Sequence, residues 1–473
     1  MKRILLRSGK SPFDVVSHEQ AMHRNVIGTN SGNLIFSDAA HKLLLTPETE
    51  VVSTNRFTVD PAEAGRINEE FDAFVVPLAN AFRPSFAKQL NTLSKLIEQL
   101  TIPVVVLGVG AQATVTYDTA RLAGIERPVK RFVKAVLDRS ASIGVRGECT
   151  ERYLKGLGFR DVDVIGCPSM FLYGDHFAVE KKAAGIGPDS RIAVNGSHDA
   201  LRTGHLGTVM DAAIDRYPDL TYVAQNLTDA ELLYWGDVSD AAGLHQAVPA
   251  HRTHRLLREN KVRIYVDPVT WIDDLRQYDY SFGGRIHGNI AALLAGTPAT
   301  VLCHDSRTLE LCRYFGIPHL RATDVTPDLD PAILYEKADF GELLNDHKVR
   351  FGRLTAFLDR NGLQNTYSHG DRGAAFESRM ASLSFPPAIE AWQGEEYGRL
   401  GYRIGWLKHH TDRARQEQQA TARLMAESAA RTAQLEARIE LLEKRLVSVQ
   451  GRSAVRRARR AMRPVKKMFN GLS

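Results

Sequence analysis

Between residues 70 and 170 short apolar runs alternate with amphipathic segments: FDAFVVPL, AKQLNTLSKLIEQL, IPVVVLGVGAQA, VKRFVKAVLDRSASIGVR, GECTERYLKGLGF and VDVIG. Short β-branched runs that end in Gly or Pro predict strands. Segments of about 10 to 15 residues with helical periodicity between them predict the crossover helices of a parallel sheet. A second series begins near Arg191 with RIAVNGS, a helix around TVMDAAIDRY, LTYVAQN, VRIYV, WIDDLRQYDYSFGG and IHGNIAALLAGTPATVLCH. The pattern predicts an α/β chain with two Rossmann-like domains in tandem, residues 1–180 and 191–325. The Gly/Pro-containing stretch 181–190 (KKAAGIGPDS) reads as their hinge. Open parallel sheets bind ligands outside the carboxyl ends of their strands, so the cleft between the two domains is the expected site.

The C-terminal third reads differently. An amphipathic helix, FGELLNDHKVRFGRLTAFLDR at 340–360, belongs to a segment of closing helices and linker at 326–410. Gly and Pro are then absent from 411–450, where Met425, Ser428, Thr432, Leu435, Ile439, Leu442, Leu446 and Val449 recur at alternating three- and four-residue spacings. That seam predicts a coiled coil, with a homodimer as its product, against the alternative of one surface helix. Residues 451–473 hold eight Lys or Arg and no acid, interspersed with Val, Met and Phe.

Composition sharpens this picture in two places. At 473 residues, 44% hydrophobic and 25% charged, the chain is expected to fold as a multi-domain globular protein. The net charge of +6 is a property of the tail: outside it 53 bases face 55 acids, so the body is not read as a nucleic-acid binder. The tail suits an anionic membrane surface, with nucleic acid second and a solvated tail third. No apolar run matches a signal peptide or a membrane span, and the four cysteines form no C-x-x-C pair. A cytoplasmic location, peripheral on the inner face of the plasma membrane, is expected. No metal-ligand cluster is visible in the spacing, and no cofactor is expected.

Three motifs carry candidate chemistry. Gly108-Val109-Gly110-Ala111-Gln112-Ala113 follows a strand and matches the dinucleotide pattern G-x-G-x-x-A, but neither the immediate helix nor the later acid follows. It reads as a glycine turn that admits a ligand to the backbone at Gly110. Gly283-Gly284-Arg285-Ile286-His287-Gly288 lies between a strand and a helix of small residues. Free amides at Gly284 and Gly288, the Arg285 fork and the His287 imidazole converge there, which predicts an anion site with a group able to exchange a proton near neutral pH. Arg146 ends the strand SIGVR and faces the same cleft, unless a neighbouring acid claims it.

Asn30-Ser31-Gly32-Asn33, the VLGVGAQA turn, Val145 to Phe159 and G-G-R-I-H-G-N-I-A-A-L-L-A-G-T-P at Gly283 to Pro298 together resemble the polysaccharide pyruvyl transferases over about residues 25 to 320. The resemblance implies a GT-B-like fold and transfer of pyruvate from phosphoenolpyruvate to a pair of sugar hydroxyls as a ketal. Arg285 and His287 fall on that family's Arg-x-His donor motif and Arg146 on its strand-end Arg; His287 becomes the candidate proton donor or shuttle, and Arg307 a phosphate contact. Acids usual in the family are replaced by Asn33, Gly147 and Cys167, so the pocket is expected to be more positive. A nucleotide-sugar glycosyltransferase of the same architecture and a non-catalytic adaptor in polysaccharide assembly are the alternatives.

Overall fold

The computed structural model describes residues 1–449 except Thr29, 237–244 and 392–396, and beyond them Arg457, Arg460 and Ala461. Its strands are β1 (Lys2–Leu6), β2 (Thr49–Ser53), β3 (Ala73–Pro77), β4 (Val104–Leu107), β5 (Ile143–Val145), β6 (Val162–Val164), β7 (Ile192–Asn195), β8 (Leu220–Val223), β9 (Val262–Arg263), β10 (Tyr280–Gly283), β11 (Ala299–Cys303) and β12 (His319–Arg321). All ladders between them are parallel.

The first sheet runs β2-β1-β3-β4, and the pair β5-β6 continues it through a parallel bridge from Val109 to Val145. The second runs β12-β11-β10-β7-β8-β9. In each sheet the connections leave one neighbouring strand pair in opposite directions, β1/β3 in the first and β7/β10 in the second. Such divergence opens a crevice at the strands' carboxyl ends. Strands β3 (AFVVP) and β4 (VVVL) are buried throughout, as expected for a sheet covered by helices on both faces. The helix Glu126–Leu137 shows why these covers form: Val129, Phe132, Val133 and Val136 recur at helical spacing and are the buried face.

The apolar interior is shared between the sheets. One cluster joins Leu6, Val75 and Leu107 of the first sheet to Val301 and Cys303 of the second and to Phe351 and Leu354 of the helix Gly341–Arg360. Residues 1–392 accordingly form one compact unit, and the stretch 181–190 is a change of sheet within it.

Residues 393–473 are a second unit. In it the helix Tyr397–Val449 spans the predicted coiled-coil segment, and Leu424, Met425, Leu435, Leu441 and Leu442 are exposed along it. The expected basic tail lies outside the described residues apart from Arg457, Arg460 and Ala461. Among the described residues no helix is long and apolar enough to cross a membrane.

Candidate functional site

The turn after β10 is fixed by polar side chains. Gly283 has φ +144°, and a Cβ there would lie 1.9 Å from the Asn195 carbonyl oxygen, so the position demands glycine. Beyond it the Arg285 amide donates to Asn195 Oδ1 at 2.9 Å, and its Nε to the Gly196 carbonyl at 2.9 Å. Asn289, one turn into the helix Ile286–Leu294, accepts from Ser281 Oγ and from Asn195 Nδ2. Arg285 is thus held at the β7/β10 crevice, with the rest of its guanidinium facing the cavity described below.

His287 sits in the first turn of that helix and is 8% exposed. A Cβ at Gly32, the first residue of the helix Gly32–Leu44, would lie 2.6 Å from His287 Cβ, so the starts of two helices meet at this imidazole. His287 Nε2 lies 3.6 Å from Cys167 Sγ. Burial, and after it the charge of Arg146, push the imidazole pKa down to about 3. The ring is therefore neutral at pH 7, and a part in proton transfer requires that it first take a proton up.

Arg146 follows β5 and is 2% exposed. Its Nε donates to the Gly108 carbonyl at 3.3 Å, and its Nη2 has no partner among the described residues. Burial lowers its pKa below the usual value. Among the described residues no carboxylate bonds it directly. Room for this side chain comes from Gly110, where a Cβ would stand 2.5 Å from Arg146 Cδ.

These groups open onto a cavity of about 810 Å³. Asn33, Arg146, Gly284, Arg285, His287 and Arg307 line it. So do Arg7, Arg24, Arg56, Arg83, Lys88 and His304, which the sequence reading missed. Among the described lining residues there is no Asp or Glu.

Two predicted contacts are displaced. Gly110 and Gly288 are not in the lining: the first makes space for Arg146, and the second lets its helix approach Gln225 and Asn195, with a Cβ there 2.7 Å from Gln225 Nε2. The glycine turn after β4 thus admits an arginine of this chain, not a ligand. Arg307 does line the cavity, but its charge is shared with Asp305, which accepts from Arg307 Nε at 2.7 Å. Burial works to raise the Asp305 carboxyl, yet Arg307 and His304 outweigh it and hold the pKa down at about 2.

The replaced acids have three separate outcomes. Asn33 uses its amide as a donor, to the carbonyls of Ile27 at 3.0 Å and Gly28 at 3.2 Å, a task no carboxylate performs. Cys167 places a thiol beside His287. At Gly147 an acid is present after all, delivered from the helix Ser306–Phe315: Glu310 accepts from the Thr150 amide at 3.0 Å and its hydroxyl at 2.9 Å. Burial raises the Glu310 pKa to about 7 against the pull of Arg146. The expected excess of positive charge is therefore tempered near Arg146.

Residues 73–306 match the family model for polysaccharide pyruvyl transferase, a family of transferases, and the resemblance read from the motifs is thereby shown. No curated protein sequence matches the chain. Solved structures with a similar course of chain include the UDP-GlcNAc 2-epimerase of Methanocaldococcus jannaschii in complex with UDP-GlcNAc and UDP, at 11% identity and TM-score 0.42, covering 76% of this chain and 99% of that one. The UDP-N-acetylglucosamine 2-epimerase of Rickettsia bellii is similar at 13% identity and TM-score 0.39, covering 76% and 96%. A protein of Klebsiella pneumoniae described as functionally uncharacterized matches at 11% identity and TM-score 0.35, covering 66% and 88%.

Proposed function

We propose that this chain transfers pyruvate from phosphoenolpyruvate to two hydroxyls of a surface-polysaccharide sugar, or of its precursor, as a ketal. The observation that carries the reading is a cluster of buried Arg146 and His287 with half-buried Arg285 where the starts of two helices meet, opening on a cavity with no acid in its described lining. The family match gives the transferase class.

Phosphoenolpyruvate carries a carboxylate and a phosphate on a three-carbon enol, and two guanidinium forks with helix amides can neutralise both ends. The reaction needs a proton on the methylene carbon, attack of one hydroxyl oxygen on C2, departure of phosphate, and attack of a second hydroxyl oxygen on C2. Of the two hydroxyl protons, one balances the new methyl group and one leaves with phosphate. His287 is the shuttle. Neutral in the empty site, it gains basicity when the donor's negative charge arrives beside it, so the bound donor creates the acid that protonates it.

The two sheets then act as GT-B-type domains about the cavity. The exposed apolar positions of the helix Tyr397–Val449 serve homodimer pairing, and the basic tail holds the protein reversibly to an anionic membrane surface. The test is incubation of the full chain with phosphoenolpyruvate and a panel of p-nitrophenyl glycosides. Release of phosphate matched by an acid-labile ketal methyl group in the product supports the reading; hydrolysis of phosphoenolpyruvate without a sugar product, or glycosyl transfer from a UDP-sugar, overturns it.

A further inference from the structure

We propose that Glu310 is a positioning residue for donor binding: through Thr150 it fixes the turn that carries Arg146, and by its own charge it sets how much of that guanidinium is left for the donor's anionic groups. The inference rests on the reading of Arg146, Arg285 and His287 as the donor site.

Two parts of the fold meet at this carboxyl. Glu310 lies in the helix Ser306–Phe315, which follows β11 of the second sheet, and Thr150 in the helix Glu148–Gly156, which follows β5. Glu310 is completely buried and accepts from both the amide and the hydroxyl of Thr150. The same hydroxyl oxygen accepts from the Ala111 amide at 2.9 Å. Ser306 closes the other side of that turn: its hydroxyl donates to the Ala111 carbonyl and accepts from the Ala113 amide, each at 2.8 Å. The turn in its own right holds Arg146, whose amide donates to the Val109 carbonyl at 3.0 Å and whose Nε donates to that of Gly108. Glu310 is not in the cavity lining, so it acts on a ligand there through Arg146.

Charge is the second link. Glu310 and Asp305 are the carboxylates whose charge acts on Arg146, Glu310 the more strongly. Asp305 is committed to Arg307 and, with its pKa held at about 2, is ionised throughout the neutral range. Cys149 on the helix Glu148–Gly156 and Tyr117 in the loop after β4 also face Glu310. Burial pushes the Cys149 thiol up to about 12 and the Tyr117 hydroxyl up as well, so both are neutral. A guanidinium keeps its proton. Glu310, raised by burial to about 7 against the pull of Arg146, is the member of this group whose charge changes near neutral pH.

Ionised Glu310 competes with the donor for Arg146 and repels its negative charge. Protonated Glu310 keeps an oxygen for the Thr150 amide and leaves the guanidinium to the donor. The coupling is reciprocal: a bound donor opposes the pull of Arg146 on Glu310, raises that carboxyl's pKa further and draws in a proton, mostly above about pH 7. His287 takes up protons increasingly as pH falls, so the two groups are separable.

The test is calorimetric titration of phosphoenolpyruvate into the full chain and into Glu310→Gln, at fixed ionic strength, over a range of about pH 6 to 8.5 that brackets the Glu310 titration. The ratio of the two dissociation constants at each pH cancels the ionisation of the ligand and of His287. Native over variant should be about 1 at the acid end and rise to about fivefold or more at the alkaline end, the scale of one neighbouring charge. Glu310→Gln is close in size and keeps an acceptor for Thr150. Thr150→Val breaks the link to Ala111 and leaves the carboxyl in place, so it should weaken binding about fivefold or more even at the acid end, and Thr150→Ser should restore it. A ratio that is flat with pH, or native affinity in Thr150→Val, overturns the assignment. Sulfate, doubly ionised across this range, is the second probe. A chain that ignores phosphoenolpyruvate but binds sulfate with the same Glu310-dependent ratio removes the donor reading and leaves this one standing. Failure of the native chain to bind either anion overturns both.

Discussion

Glu310 fills the space that a side chain at Gly147 would need: a Cβ at Gly147 would lie 2.7 Å from Glu310 Cβ and 2.9 Å from its Oε2. The carboxylate absent from one position reaches the same place from a helix far along the chain. Gly147→Asp is therefore expected to destabilise the fold by about 1 to 3 kcal/mol through overpacking, with like-charge repulsion added. Glu310→Gly in the same chain removes the Cβ as well as the carboxylate and should restore most of that overpacking loss. Urea unfolding of the two single variants and the double variant measures the coupling, and strictly additive losses would show that the two positions do not compete.

Glu310 also gives the stability a pH signature of defined sign. Its carboxyl holds its proton to about pH 7 in the fold, against 4.5 for the free side chain, so the native state binds more protons between those values. The stability this contributes is full below about pH 4.5 and is lost as pH rises to about 7. Glu310→Gln abolishes the titration and keeps an acceptor for Thr150. The variant's stability relative to the native chain should rise from pH 4.5 to 7 and then level off. A difference independent of pH would contradict the assignment.

Much of this was legible in the sequence, for physical reasons. The runs FVVP and VVVL announce strands because both sheet faces are covered, and Arg146, Arg285 and His287 stand out because glycines flank them at strand ends. Arg7 and Arg83 did not stand out. β1 mixes bases with its apolar residues, and Arg83 follows a loop with no glycine to mark it. Glu310 was beyond any motif, since it meets Thr150 across 160 residues of chain. The glycine turn after β4 was read as open to ligand because sequence spacing cannot show that Arg146 already fills it.

Donor binding should take up protons. His287 is neutral in the empty site, with a pKa of about 3, and an anion beside it raises that value. Calorimetry at pH 6 to 7.5 in buffers of different ionisation enthalpy should show uptake by the native chain in excess of that by His287→Asn, the excess growing as pH falls. Equal proton exchange in both would exclude His287 as the group that titrates.

Cys167 puts a neutral thiol beside the His287 imidazole where the family pattern has an acid. A carboxylate 3.6 Å or so from Nε2 would stabilise the imidazolium, so Cys167→Asp should raise the His287 pKa, weaken donor binding by adding negative charge, and move the pH optimum upward. The pH profile of kcat/KM checks this; an unshifted profile would mean that the thiol and imidazole are not electrostatically coupled.

The proposed donor site of Arg146, Arg285 and His287 is tested by calorimetric binding of phosphoenolpyruvate to the native chain and to Arg285→Lys, which keeps the charge but loses the fork. One site per chain is expected in the native protein, with an affinity weakened about tenfold or more in the variant. Absence of phosphoenolpyruvate binding to the native chain, or equal affinity in the variant, would contradict it.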